Sequence, residues 1–443
     1  MVINMPAGAE EIINCINKAG FEAFIVGGCV RDCLLGRMPN DWDITTSAKP
    51  EQVKALFRRT IDTGIQHGTV TILIGDEQYE VTTYRIDGDY SDGRHPDDVT
   101  YTSLLSDDLR RRDFTINAMA YHPSTGLVDL FGGVDDLDKK IVRCVGNAED
   151  RFGEDALRMM RAIRFAAALG YSIDDETYNA IIKLHANLSK VSAERIRVEM
   201  EKLLISDNPH MFRLFYETKL TSIFMPEFDA AMETKQNHPH HMYDVGEHIL
   251  HSLVHTPSDK VLRLTMLFHD IAKPRMISID EQGVTHFKGH PALSGKMARE
   301  IMSRLKYDNA TIDAVSELAA NHDRYIGTDE VSVRRVLGKL SDGAFPKLMI
   351  VKYADTMAQS DYLRTEKLET IESLKGIYAK VIEANNCFKL KDLAVGGKDL
   401  IKHGITPGPG LGDILASMLE DVIDTPEHND ADYLLSHLDE YKK

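Results

Sequence analysis

An α/β head followed by a helical remainder is the fold class this sequence predicts, and three observations predict it. Up to about residue 145, short β-branched runs alternate with turns, as in Phe24-Ile25-Val26, Thr69 to Ile74 and Gln78 to Arg85. From about residue 146 the apolar period becomes helical and stays so. The length, 443 residues, exceeds what one core organises and implies several domains. Hydrophobic residues at 43% and charged residues at 27% are those of an ordinary globular chain. No apolar run is long enough to span a membrane and no leader pattern opens the chain, so a cytoplasmic location is expected. The five cysteines, Cys15, Cys29, Cys33, Cys144 and Cys387, complete no zinc spacing and read as reduced packing residues. A net charge of −17 speaks against a protein that coats nucleic acid non-specifically. Local basic clusters at Arg110-Arg111-Arg112, at Arg158, Arg161 and Arg164, and at Arg195 and Arg197 still allow specific phosphate contacts.

Taken in order, residues 8 to 19 read as an amphipathic helix with Ile12, Ile13 and Ile16 on one side. Phe24 to Val26 reads as a buried strand, Gly27-Gly28 as the turn after it, and Val30 to Leu35 as a short helix. Trp42 to Thr46 then reads as a second strand. Residues two apart on a strand share a face, so Asp41 and Asp43 are expected side by side. Two such carboxylates repel unless a cation lies between them, and hard oxygen ligands suit Mg²⁺ with substrate phosphates. The glycines let backbone amides approach a polyphosphate, and the whole reads as a two-metal nucleotidyl-transfer site. Thr69 to Ile74 and Gln78 to Arg85 form a hairpin pattern. Glu80, a charge within the second of these runs, reads either as an exposed edge residue or as a third carboxylate supporting the metal pair. Residues 86 to 99, rich in Gly, Asp and Pro, read as a mobile functional loop carrying Tyr90, Asp92, Arg94 and Pro96.

The combination resembles the first motif of the polymerase-beta-like nucleotidyltransferases, in the form found in bacterial CCA-adding enzymes and poly(A) polymerases of class II. Four further motifs follow in order. Arg111-Arg112-Asp113-Phe114-Thr115-Ile116-Asn117-Ala118 is similar to the motif that contacts sugar and triphosphate. Asp129 to Leu137 resembles a hinge. Glu154-Asp155-Ala156-Leu157-Arg158, which taken alone reads as a salt-bridged surface helix, resembles the motif that selects the incoming base. Ser192 to Glu199 resembles the fifth, where Ser192 and Glu194 also read as a plain helix start. The resemblance implies catalysis by Asp41, Asp43 and Glu80. It implies nucleotide contacts at Gly27, Gly28, Arg31, Arg111, Arg112, Asp113, Asn117, Glu154, Asp155, Arg158, Arg161 and Arg164.

Further on, His248, His269-Asp270 and Asp355 follow the His…His-Asp…Asp order of the metal-dependent HD phosphohydrolases, each within an expected helix: Val245 to Val254, Val261 to Ile271, and Lys347 to Ala358. His290 and His322 fall where binuclear members place ligands of a second metal. Imidazoles with carboxylates suit Mn²⁺, Fe²⁺, Ni²⁺ or Zn²⁺. The alternative is a degenerate HD fold kept as scaffold. The resemblance implies a catalytic head over residues 1–145, a neck over 146–225, an HD region over 226–375 and a tRNA-contacting tail over 376–443. The expected partners are tRNA, CTP and ATP. The expected reaction is CCA addition, with poly(A) synthesis or A-only addition as the rivals of the same class and a phosphohydrolase with a non-catalytic head as the rival of another. Oligomeric state is not legible.

Overall fold

The first 226 residues are built around one mixed sheet. A computed structural model describes residues 2–65, 68–88 and 99–442. The loop residues Tyr90, Asp92, Arg94 and Pro96 lie outside them. The chain divides into two units, Met1–Pro226 and Glu227–Lys443.

In the first unit the strands are β1 (Ala23–Val26), β2 (Ile44–Thr46), β3 (Thr60–Gly64), β4 (Thr69–Ile74), β5 (Glu77–Thr83), β6 (Met119–His122) and β7 (Gly126–Asp129). They lie in the order β3-β4-β5-β2-β1-β6-β7. Every neighbouring pair is antiparallel except β2 and β5, which run parallel with Ile44 opposite Val81. Helix α1 (Ala7–Lys18) buries Ile12, Ile13 and Ile16, the side its spacing marks as apolar. Helix α2 (Gly28–Leu34) follows β1 directly.

Two expectations about local structure are corrected here. The second strand begins at Ile44 rather than Trp42, because the ladder reaches Asp43 only through Val26 N–H, which donates to the Asp43 carbonyl at 3.0 Å. The alternation persists ahead of it: Trp42 is buried while Asp41 and Asp43 are exposed. Glu80 sits on β5, which is flanked by β4 and β2, so it is no edge residue.

The segment Glu154 to Arg158, expected to select the base, is not one continuous helix. Helix α3 (Ala148–Glu154) stops, Asp155 adopts extended angles (φ −135°, ψ 104°), and α4 (Leu157–Leu169) begins beyond it. The cause is local: the Asp155 carboxylate accepts from Leu157 N–H at 3.0 Å, which caps the second helix and competes with continuing the first. Helix α5 (Ala193–Leu204) has Ser192 at its start, but the Ser192 hydroxyl makes no capping bond. The remainder is also not wholly helical, since Ser172–Ile173 pairs in parallel with Ile141–Val142.

The second unit is a stack of helices: α6 (Val245–Val254), α7 (Lys260–Phe268), α8 (His290–Arg304), α9 (Asn309–Asn321), α10 (Ala344–Met357), α11 (Arg364–Glu383) and α12 (Pro409–Asp424), with shorter ones between. One core joins Leu318, Val333, Phe345, Leu348, Ile371 and Leu374. Another, near the carboxyl end, joins Leu400, Ile414, Met418, Val422 and Leu434. Helix α11 runs through residue 376, where the tail is expected to begin. Helix α7 ends at Phe268, so His269 and Asp270 lie just beyond it rather than inside it. Among the described residues, no helix is long and apolar enough to cross a membrane.

Candidate functional site

Gly27 turns the chain from β1 into α2 with φ +82°, a conformation that favours glycine. A Cβ there would lie 3.0 Å from Arg112 Nη1, so the glycine also admits that guanidinium. On the same side of the sheet, the β2–β5 register extended by one residue sets Asp43 beside Glu80. Asp43 keeps an open face to solvent, yet the protein around it, and the charges of Glu80 and Asp41, raise its carboxyl pKa against the pull of Arg112. A divalent cation relieves that strain, and a donor set of carboxylate oxygens fits Mg²⁺. The ligand atoms of Asp41, Asp43 and Glu80 do not form a group within 4.8 Å of one another.

The arginines around this wall are each held by a carboxylate. Asp108, fully buried, accepts from Arg111 at 2.9 and 2.7 Å and from Arg112 at 3.3 Å, while Thr45 Oγ1 donates to it at 3.1 Å. Burial works to raise the Asp108 carboxyl, but Arg112 and Arg111 outweigh it and hold it low. Asp113 accepts from Arg161 at 2.8 and 2.6 Å and from Asn117 Nδ2 at 3.2 Å. Arg31 Nη1 donates to Asn117 Oδ1 at 2.7 Å, which joins α2 to the Arg-Arg-Asp segment.

Asp155 Oδ2 accepts from Arg195 at 2.6 Å, and Arg158 donates to Glu154 at 2.5 Å and to the Arg151 and Arg111 carbonyls at 3.1 Å each. Arg164 Nε donates to the buried Glu199 at 2.6 Å. Asp108 is a neighbour that the sequence reading leaves unassigned, while Arg195 and Glu199 fall within its fifth motif without their partners being named. For Asp108 the signal is present: an Asp followed by Arg at the third and fourth positions is a helical pairing pattern. For the other two the fold supplies the partners, Asp155 and Arg164.

The second unit gathers a different set. His248, on α6, approaches His269 at 3.2 Å, Asp270 Oδ2 at 3.5 Å and Asp355 at 2.9 Å, all through Nε2. His290, the first residue of α8, and His322, just beyond α9, lie 3.1 and 3.5 Å from Asp270 Oδ1 and 3.3 Å from each other. Asp270 thus turns one oxygen to each trio. The Nδ1 atoms of His248, His269, His290 and His322 face the carbonyls of Ala358, Met266, Phe287 and Ala319 at 3.3, 2.7, 2.8 and 2.8 Å. A ring that donates through Nδ1 presents a bare lone pair at Nε2. Four imidazoles and two carboxylates therefore aim acceptors at one another inside a buried space, an arrangement that two cations satisfy. Lys273 Nζ, 2.6 Å from Asp270 Oδ2, is the nearest positive charge. The cluster opens into a cavity of about 460 Å³ edged by Lys273, Lys288 and Lys367.

Comparison with known proteins then decides the family. The poly(A) polymerase head domain family matches residues 23–143. A "Probable RNA and SrmB-binding site of polymerase A" matches 170–232, and domain 2 of the tRNA nucleotidyltransferases matches 279–438. The CCA-adding enzyme of Leuconostoc mesenteroides is 35% identical over 437 residues, covering 98% of this chain and 96% of its own. This chain belongs to the CCA-adding enzymes. The CCA-adding enzyme of Lactobacillus delbrueckii subsp. bulgaricus is 36% identical over 425 residues, 94% of this chain and 93% of its own. Among solved structures, the Bacillus stearothermophilus CCA-adding enzyme in complex with CTP superposes with a TM-score of 0.71 at 28% identity, covering 98% of both chains. The mixed-sheet head and helical remainder are those of a CCA-adding enzyme, a class of nucleotidyltransferase that uses divalent metals, typically Mg²⁺.

Proposed function

We infer that this chain adds the 3′-terminal CCA to tRNA from CTP and ATP without a nucleic-acid template. Similarity to CCA-adding enzymes along nearly the whole chain carries the reading. The tRNA 3′-oxygen bonds to the α-phosphorus as the bond to the β-phosphate breaks, and pyrophosphate leaves. Mg²⁺ supplies activation of the attacking hydroxyl and charge neutralisation at the triphosphate. Asp41 and Asp43 hold it, and Glu80 supports them from the neighbouring strand. Gly27 and Gly28 admit the triphosphate, while Arg31, Arg111, Arg112, Asp113 and Asn117 fix the phosphates and ribose. Asp155 accepts from the exocyclic amine that both C and A carry, and Arg158 donates to ring and carbonyl acceptors; U and G present the opposite pattern. Glu154 holds Arg158 in place, and Arg161 and Arg164 face the nucleotide with the other arginines.

The test is extension of a tRNA ending in its discriminator base, with each NTP alone and in combination. CCA addition by wild type, and a loss of several orders of magnitude in Asp41→Asn and Asp43→Asn at unchanged folding, is the expected result. Homopolymeric A addition identifies a poly(A) polymerase. Extension only of a tRNA ending in CC identifies an A-adding enzyme.

The converging lone pairs around Asp270 favour a second activity, metal-dependent phosphate-ester hydrolysis in an HD region. The ligands are His248, His269, Asp270 and Asp355 for one ion, and Asp270, His290 and His322 for another, with Mn²⁺, Fe²⁺, Ni²⁺ or Zn²⁺ suiting the donors. Such ions supply a water nucleophile at neutral pH. Lys273, Lys288 and Lys367 face the ester's phosphate. A neighbouring cavity of about 410 Å³, lined in part by Ile326, Ile371 and Leu374, has room for its organic part. The double variant His269→Ala, Asp270→Ala should lose hydrolysis and keep nucleotide addition. A wild type inert towards cyclic and nucleoside phosphates with each metal leaves the scaffold reading.

A further inference from the structure

Phe165 lies on α4 between residues that face the nucleotide, yet the reading above gives it no task. It is 7% exposed. Three guanidinium groups meet its ring: Arg164 at 3.6 Å from the centroid, Arg31 at 5.2 Å and Arg161 at 5.4 Å. Phe114, inside the Arg-Arg-Asp segment, packs edge-on against it with centroids 5.7 Å apart and planes at 76°. The N–H edges of the same arginines are taken elsewhere, by Asn117 at 2.7 Å for Arg31, Asp113 at 2.6 Å for Arg161 and Glu199 at 2.6 Å for Arg164. One aromatic ring therefore touches arginines from α2 and α4 and the segment between them.

We propose that Phe165 is a positioning residue for the nucleotide triphosphate: its ring holds the Arg31, Arg161 and Arg164 guanidinium groups in the single layout that receives the phosphates. The inference rests on those arginines binding nucleotide. Each has a carboxylate at one edge, Asp32 for Arg31, Asp113 for Arg161 and Glu199 for Arg164, and the ring against their faces fixes the planes in which the three guanidinium groups stand. A further carboxylate at this position leaves four carboxylates to three arginines and repels a triphosphate. An aromatic face attracts each cation through its quadrupole and adds no net charge. A leucine in the same place fills the space and lacks the quadrupole.

The experiment is steady-state CTP and ATP incorporation into a tRNA acceptor by the full chain, comparing wild type with Phe165→Leu, Phe165→Tyr and Arg161→Ala. Inhibition by inorganic tripolyphosphate is measured in parallel. Phe165→Leu should raise KM for both nucleotides roughly tenfold, leave kcat within about threefold, and weaken tripolyphosphate inhibition to match. Phe165→Tyr, which keeps the aromatic face, should return both to near wild type. A role in packing alone lowers the folded fraction, and hence kcat, without moving KM. Unchanged KM in Phe165→Leu, or a Phe165→Tyr as impaired as the leucine variant, overturns the proposal. If the leucine variant does not fold, Phe165→Met carries the same two readings. Arg161→Ala separates the levels: if it leaves KM unchanged, the nucleotide role of that arginine fails and the proposal with it. If it raises KM while Phe165→Leu does not, only the role of Phe165 falls.

Discussion

For Asp155, proposed above to read the base, the question is what else its side chain is bonded to. Its carboxylate is held by Arg195 at 2.6 Å and by the amide of Leu157, so one oxygen is fixed by backbone and the other by a single partner. Arg195 thereby sets the direction in which the remaining lone pairs of that carboxylate meet a cytosine or adenine amine, and each hydrogen bond to a charged group is worth about 1.5–3 kcal/mol. Arg195→Ala should therefore leave chain extension running while discrimination against UTP and GTP falls by roughly tenfold or more. Full discrimination in that variant removes Arg195 from base selection. Asp113 gives a prediction in pH. Burial works to raise its carboxyl, but Arg161, then Arg158 and Asn117, outweigh that and bring its pKa down to about 2. The folded value lies below the unfolded value of about 3.9, so the stabilisation is complete above that pH and is lost as pH falls through about 2. It amounts to roughly 2 kcal/mol. Asp113→Asn should flatten the stability profile between about pH 4 and about 2, measured by denaturant unfolding. At this scale, the run Arg111 to Asn117 was legible because its members are contiguous. The pairings of Arg195 with Asp155 and Glu199 with Arg164 were not, since they form only when α5 packs beside α4.

Elements place these residues, and glycine spacing decides how closely two helices pass. In α8, a Cβ on Gly295 would lie 2.6 Å from the Ser316 carbonyl oxygen and 2.7 Å from Ala320 Cβ of α9. The missing side chain lets the two helices approach until His290 at the start of one and His322 at the end of the other stand 3.3 Å apart. Adding even a methyl forces them to separate. Gly295→Ala should lower unfolding free energy by about 1–3 kcal/mol and weaken metal binding at Asp270, His290 and His322, with tRNA extension unaffected. Calorimetric metal titration of the full chain reads the second effect; unchanged affinity removes the link between helix approach and ligand set. Helical and strand periods were legible in both units, because burial enforces them wherever an element faces a core. The break at Asp155 was not, since apolar spacing continues smoothly from α3 into α4 and the capping bond that interrupts it is a single local event. The start of β2 was missed for a related reason: Trp42 alternates like a strand residue although the ladder has not yet begun.

At the scale of the whole chain, two ligand chemistries sit in two units, and that separation makes them testable together. The expected ligands of the head site are carboxylates, whereas the second unit offers imidazoles and two carboxylates. Hard Mg²⁺ suits the first, and Mn²⁺ or Ni²⁺ the second. An ion that binds only the folded state stabilises it by about 2.7 kcal/mol at a hundred times its dissociation constant. After chelation and dialysis, Mn²⁺ or Ni²⁺ should therefore raise the unfolding temperature of the full chain. Asp270 feeds both trios, so Asp270→Asn should abolish most of that rise, while Asp43→Asn should keep it. Nucleotide addition with Mg²⁺ should show the reverse order of damage. Both measurements use the same protein, so a variant that has lost its fold reveals itself by failing in both. A rise that survives Asp270→Asn means the ions bind elsewhere. Loss of CCA addition in a folded Asp270→Asn means the two sites do not act independently, and the assignment of one chemistry to each unit then fails.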